Sequence, residues 1–173
     1  MKPVALITGA AGLIAGYLVR SASRWVPDWE VRGLTRTEVD LTDRAQMQRC
    51  WERHRPDLVI HCAALSRTGL CEQDPARARL INVEATRSLA DLARDVPFVF
   101  LSTDQVFDGA KGHYVETDAV HPLNVYGQTK VEAEQAVLEN PAHAVVRIAL
   151  TAGTSPTRDR SFVEDMLRAA AKD

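Results

Sequence analysis

Residues 4–16 read Val4-Ala5-Leu6-Ile7-Thr8-Gly9-Ala10-Ala11-Gly12-Leu13-Ile14-Ala15-Gly16. An apolar run of strand type, Val4 to Ile7, leads into a glycine-bearing turn, and Leu13 opens a helical pattern that continues to Arg24. In this order a glycine turn is suited to a dinucleotide. Gly9 permits the tight turn, Gly12 lets backbone approach a pyrophosphate, and a small residue at Ala15 or Gly16 allows close packing of helix on strand. The turn and helix start, Ala11, Leu13 and Ile14 included, would then face phosphate charge. Glycine also marks ordinary turns, so the placement between first strand and first helix carries the reading. The same glycines interrupt the apolar stretch from Val4 to Val19, which argues against a secretory leader.

Outward from this turn, short apolar runs alternate with amphipathic helical patterns. Strands are expected at residues 31–34, 58–60, 98–101 and 144–148, and helices from Asp43 onward and over residues 75–94 and 125–138. Asp43 with Gln46 has the spacing of a capping box. Residues 104–122 are polar, contain glycine and are too long for a plain connection, so a functional loop is expected there. Residues 151–160 read as loop, and Ser161 with Glu164 caps a final helix carrying Phe162, Val163, Met166 and Leu167. The pattern predicts an α/β fold: one Rossmann-like domain over residues 1–173, a doubly wound parallel sheet flanked by helices.

Composition sets limits on function. The chain has 173 residues, 21 basic and 23 acidic, for a net charge of -2. That leaves no basic footprint for nucleic acid, and no apolar run is long enough for a membrane span. Three cysteines, Cys50, Cys62 and Cys71, lack metal or disulfide spacing, which points to reduced thiols and a cytoplasmic setting. Cys50 and Cys62 sit among apolar neighbours and read as small buried hydrophobes. His54, His61, His113, His121 and His143 show no ligand spacing, so no metal site is expected, and surface or loop roles are the default for them.

Two further places carry chemistry. An acid at the end of the second strand holds the ribose hydroxyls of NAD in many dinucleotide sites, whereas an Arg accommodates a 2′-phosphate. Thr35-Arg36 occupies that place, so NADP(H) is preferred and NAD(H) remains open; a solvated Arg36 is the plain alternative. Tyr126 and Lys130 lie four residues apart, on one helical face. A neighbouring cation favours the phenolate, so the pair can deliver or remove a proton. Such spacing arises often on helices, but Ser102-Thr103-Asp104 leaves the fourth strand, where ligands of such sheets sit. A hydroxyl there can bond a carbonyl oxygen as negative charge builds on it.

The motifs together resemble a family. The GxxGxxA spacing from Gly9 resembles the extended short-chain dehydrogenase/reductases. Ser102 to Gly109, STDxVFDG, followed by YGxTKxxxE from Tyr126 to Glu134, resembles their dTDP-4-dehydrorhamnose reductase group. The resemblance implies that Thr103 is the hydroxyl partner, Tyr126 the acid and Lys130 its activator and ribose holder. It sets Asp40-Leu41 against the adenine ring, with solvation at a helix start as the plain reading of Asp40, and makes His61 to Ser66 a cofactor-lining turn through Ala63, Ala64 and Leu65. Cys71-Glu72 and Asn82-Val83 fall at the spacing of its next helix. Leu65 stands where an aromatic is usual, and Gln105 where Tyr is common; both departures bear on the sugar.

By resemblance the expected activity is NAD(P)H-dependent reduction of a nucleotide-sugar carbonyl, with Ser66 and Asp104 as candidate substrate contacts. The family also implies a homodimer and a further region after Asp173 that supplies most of the sugar pocket, so the chain is expected to be a shortened form. Two other classes share the cofactor: a nucleotide-sugar epimerase or dehydratase, and a non-catalytic, cofactor-binding regulatory subunit.

Overall fold

The structure is a computed structural model that describes residues 1–149 and residue 151. The final helix expected behind Ser161 and Glu164, and the loop before it beyond Thr151, lie outside the described residues. Five strands form one sheet: β1 (Val4–Thr8), β2 (Glu30–Leu34), β3 (Leu58–His61), β4 (Phe98–Thr103) and β5 (Ala144–Ile148). All neighbours are parallel, in the order β2-β1-β3-β4-β5. The chain winds from β1 outward to β2, then returns to the far side of β1 with β3. That reversal opens a crevice beyond the carboxyl ends of β1 and β3, the place where such sheets hold ligands.

Helices cover both faces. On one side lie α2 (Arg44–His54), α5 (Ala85–Leu92) and α6 (Val125–Leu138). Met47 and Cys50, Leu89 and Ala90, and Ala133 and Val137 from these helices close over Leu6, Val59, Phe98 and Phe100. Strand side chains alternate in direction, so Ala5 and Ile7 face the other way, toward α1 (Leu13–Trp25). Here the apolar period of 3.6 in the helices meets the period of 2 in the strands, as the sequence pattern predicts.

Differences from the sequence expectation have local causes. Asp43 does cap α2, accepting from the amides of Ala45 at 2.9 Å and Gln46 at 3.0 Å. The Gln46 side chain, however, does not return to the Asp43 amide, because that amide already donates to Asp40 O at 3.0 Å. Instead Gln46 donates to the Asp43 carboxylate and accepts from the Asp40 amide. A short helix not anticipated from the sequence, α3 (Thr68–Gln73), precedes the long helical stretch. That stretch is not continuous: α4 (Pro75–Arg79) passes through a π turn at Leu80–Glu84 before α5. Thr103, expected just past the fourth strand, is its last residue and pairs with Ile148.

Candidate functional site

The carboxyl ends of the strands open into a cleft of about 1920 Å³. Every residue singled out from the sequence for cofactor, catalysis or substrate lines it: the Gly9 turn, Arg36, Asp40 and Leu41, the 63–66 turn, Thr103, Asp104, Tyr126 and Lys130. The glycine turn is built as its spacing requires. Gly9 has φ of +75°, a left-handed conformation, and a Cβ there would stand 2.9 Å from the Ala63 backbone. Gly12 caps α1 without a side chain, and the first turn of that helix carries no acid. The first amides of α1 therefore point into the cleft beside unopposed helix-end charge.

Behind this turn lies a buried polar chain that composition and spacing did not disclose. Thr8 Oγ1 accepts from the amides of Cys62 and Ala63, each at 3.2 Å, and lies 2.7 Å from His61 Nδ1. The Thr8 hydroxyl proton has one acceptor there, His61 Nδ1. His61 Nε2 therefore carries the hydrogen and donates to Thr86 Oγ1 at 2.9 Å, and Thr86 donates to Asn82 O at 2.8 Å. Asn82, inside the π turn, grips Leu65 at both its amide (2.7 Å) and its carbonyl (3.1 Å), and reaches Thr129 on α6 at 3.0 Å. One chain thus ties the glycine turn, the 62–65 turn and α6 together. The default surface or loop role fails for His61, which is 1% exposed on β3; His143 does lie in a loop, before β5, but is buried there. Burial, with the charge of Lys130 behind it, pushes His61 down to about 3, so the ring is neutral.

Around the second strand, Thr35 donates through both its amide and its hydroxyl to Glu38 Oε2. Arg36 is exposed at the rim of the cleft. The Asp40 carboxylate is taken up by its own turn, accepting from Thr42 N and Oγ1, and these bonds hold its pKa down. The Asp40 side chain thus forms a local turn, a role that neither reading named, and the residue lines the cleft.

On the opposite wall, α6 delivers Tyr126 and Lys130. Asn124 caps this helix through Gly127 N at 2.7 Å, and Glu72 Oε1 accepts from Val125 N at 2.8 Å. Gln105 Oε1 accepts from Asn124 Nδ2 at 3.0 Å, so the glutamine locks the turn after β4 to the helix start. Gly127 sits against Gln105 O and Pro122 so closely that any Cβ would collide with them. Burial pushes the Tyr126 phenol up to about 12, Cys71 and Asp104 add to the rise, and the facing Thr103 hydroxyl opposes it. Lys130 donates to Leu101 O at 2.7 Å and lies 3.7 Å above the Phe100 ring. Burial brings it down to about 7, with Glu134 opposing. The expectation that Lys130 lowers the Tyr126 pKa is not met in this structure: desolvation raises the phenol, and Lys130 is not among the groups that act on it.

The loop after β4 folds around Asp108. Its carboxylate takes the Tyr114 hydroxyl, the Ala110 amide at 2.9 Å and His121 Nδ1 at 3.2 Å, while Phe107 stacks on Tyr114. The polar, glycine-containing stretch is therefore an ordered wall. All three cysteines are free thiols; Cys62 is only partly buried, and burial raises its thiol to about 11. Among the described residues no group of acids, histidines or cysteines is arranged to hold a metal, and no helix is long and apolar enough to cross a membrane.

Known proteins place this architecture. The chain is 41% identical over 137 residues to a dTDP-4-keto-6-deoxy-D-glucose reductase of Streptomyces niveus, covering 78% of this chain and 47% of that protein. It is 36% identical over 159 residues to methionine adenosyltransferase 2 subunit beta of Xenopus laevis, covering 86% of this chain and 47% of that one. A crystal structure of dTDP-4-dehydrorhamnose reductase from Bacillus anthracis in complex with NADP superposes with a TM-score of 0.90 at 28% identity, over 100% of this chain and 61% of that one. The chain thus spans about half the length of the curated relatives it matches. Residues 1–173 match the family described as RmlD substrate binding domain, and the chain belongs to that family.

Proposed function

We propose that the cleft binds NADP(H) and that the protein it belongs to reduces a carbonyl of a nucleotide sugar. The observation that carries this is the meeting of Thr103, Tyr126 and Lys130 on the cleft wall opposite the Gly9 turn. The residues suit the cofactor. A side chain at Gly9 would be forced against the Ala63 backbone, and the α1 amides offer a pyrophosphate uncapped donors. Arg36 at the rim supports a 2′-phosphate, while Glu38, the acid closest along the chain, is pinned back onto Thr35. NADPH, when bound, supplies a hydride to a carbonyl carbon.

The protein's share is proton delivery and orientation. With its pKa raised to about 12, the Tyr126 phenol is protonated at neutral pH and holds the proton that the carbonyl oxygen needs. Thr103, whose hydroxyl donates to Asp104 Oδ1 in this structure, can turn to donate to that oxygen as its charge grows, and a charged Lys130 favours the phenolate left behind. Ser66, exposed at the mouth, and Asp104, beside Thr103, are placed for substrate contacts. The nucleotide-sugar class comes from the likeness to the two named reductases. Three free thiols fit a reducing cytoplasmic setting.

The test is a fluorescence titration with NADPH and NADH, followed by NADPH oxidation in the presence of a dTDP-4-keto-6-deoxysugar. Tighter NADPH binding and keto-sugar-dependent oxidation are expected. Failure to bind either nucleotide contradicts the reading. A second reading, a cofactor-binding subunit without turnover, is favoured by the likeness to methionine adenosyltransferase 2 subunit beta. Tight NADPH binding with no oxidation of NADPH by any keto sugar would select it.

A further inference from the structure

Behind Lys130 lies a closed polar unit that proton transfer to a carbonyl does not use. Glu134 follows Lys130 by one turn of α6, on the same helical face, and is 3% exposed. Its carboxylate accepts from Ser102 Oγ on β4 and is forked by Arg147 on β5, with Nε at 3.0 Å and Nη2 at 2.7 Å. Arg147 also stacks 5.1 Å from the Phe107 ring centre and reaches Glu116 O. Two charges where α6 meets the sheet are costly unless each is partnered, and apolar residues of similar volume would hold the elements together as well. Glu134 stands one helical turn behind Lys130 and supports its charge.

We propose that Glu134 and Arg147 are positioning residues that set the charge of Lys130: the carboxylate supports the ammonium, and Arg147 limits that support by holding the same carboxylate. Lys130 is 2% exposed and donates to a neutral carbonyl, Leu101 O. The groups facing it divide by element. From β3 comes His61, neutral at about 3, and from the turn after it Cys62, a thiol at about 11. From β4 come the Phe100 ring and Ser102, both uncharged. From α6 comes Glu134, and β5 adds Arg147 through Glu134. Among the described groups that act on Lys130, Glu134 and Cys62 support its charge, and Glu134 does so the more strongly. The ammonium, pushed by burial down to about 7, stands where a modest change in this pairing switches it.

The proposal rests on reading Lys130 as the partner of Tyr126, but its test needs no turnover, so the two fail separately. The chain has four lysines, Lys2, Lys111, Lys130 and Lys172. Lysine ¹³Cε signals can therefore be followed by NMR against pH in the whole chain, with Lys130 identified by the signal lost in Lys130→Arg. Glu134→Gln is expected to move the Lys130 midpoint down by about one pH unit, because the ammonium loses its anion and keeps the Arg147 cation nearby. Arg147→Met is expected to move it up, and Arg147→Lys to restore it. A purely structural role predicts that both Glu134→Gln and Arg147→Met loosen α6, hydrate Lys130 and raise its midpoint. A rise in Glu134→Gln, or no movement in either variant, overturns the proposal. Should Glu134→Gln fail to fold, the Arg147 pair decides: equal midpoints in Arg147→Met and Arg147→Lys overturn it.

Discussion

Gly9 and Gly127 show how much of the site is decided at single residues. Each allows two backbones to meet: Gly9 against Ala63 under the cleft floor, Gly127 against the turn after β4. Gly9→Ala combines a strained φ with a collision and should cost about 1–3 kcal/mol of stability. NADPH affinity should fall with it, measured by urea unfolding and fluorescence titration of the same samples. Thr103→Val should lower turnover of a keto sugar by about 10²-fold with NADPH affinity kept, since it removes one donor to the developing oxyanion. Arg36→Ala should weaken NADPH by about tenfold or more and leave NADH nearly unchanged, because the lost bond is to a charged phosphate. Gly9, Tyr126 and Lys130 were legible in the sequence because their spacing is local. Arg147 was not: its partner Glu134 comes from another element, and only the sheet brings them together.

Among the elements, the stretch from Thr68 to Leu92 departs most from its sequence pattern. The apolar stripe of Ile81, Ala85 and Leu89 reads as one continuous helix, whereas the π turn at Leu80–Glu84 breaks its period. The extra residue in that turn accompanies the inward side chain of Asn82, which meets Leu65 and Thr129. Periodicity records which residues are apolar and is blind to a one-residue slip that satisfies a polar one. Asn82→Ala should cost about 1–3 kcal/mol, because the Leu65 amide and carbonyl lose their partner inside the protein. Hydrogen exchange should then quicken at Leu65, with the strand amides of β1 unaffected. Strand and helix existence, by contrast, followed from the pattern almost throughout, because each element buries one regular face.

For the whole molecule, the parallel order β2-β1-β3-β4-β5 gathers residues from Gly9 to Lys130 into one cleft, which no local spacing states. Its buried polar chain also sets a pH dependence. His61 falls from an ordinary 6.5 to about 3 on folding, so between those values the unfolded chain binds one more proton than the folded one. Stability from this group is complete above 6.5 and is lost as pH falls toward 3, at up to about 1.4 kcal/mol per pH unit. Urea unfolding at successive pH values should show that slope, and His61→Gln should flatten it relative to the parent chain.

Proton delivery by Tyr126 to a substrate carbonyl in this cleft is open to a direct test. Tyr126→Phe removes the hydroxyl and keeps the ring, so NADPH should bind as before. The decisive measurement is the rate of NADPH oxidation with a dTDP-4-keto-6-deoxysugar in parent and Tyr126→Phe protein, each saturated with NADPH. A fall of about 10²–10⁴-fold with unchanged NADPH affinity is expected. Oxidation at the parental rate in Tyr126→Phe would contradict it.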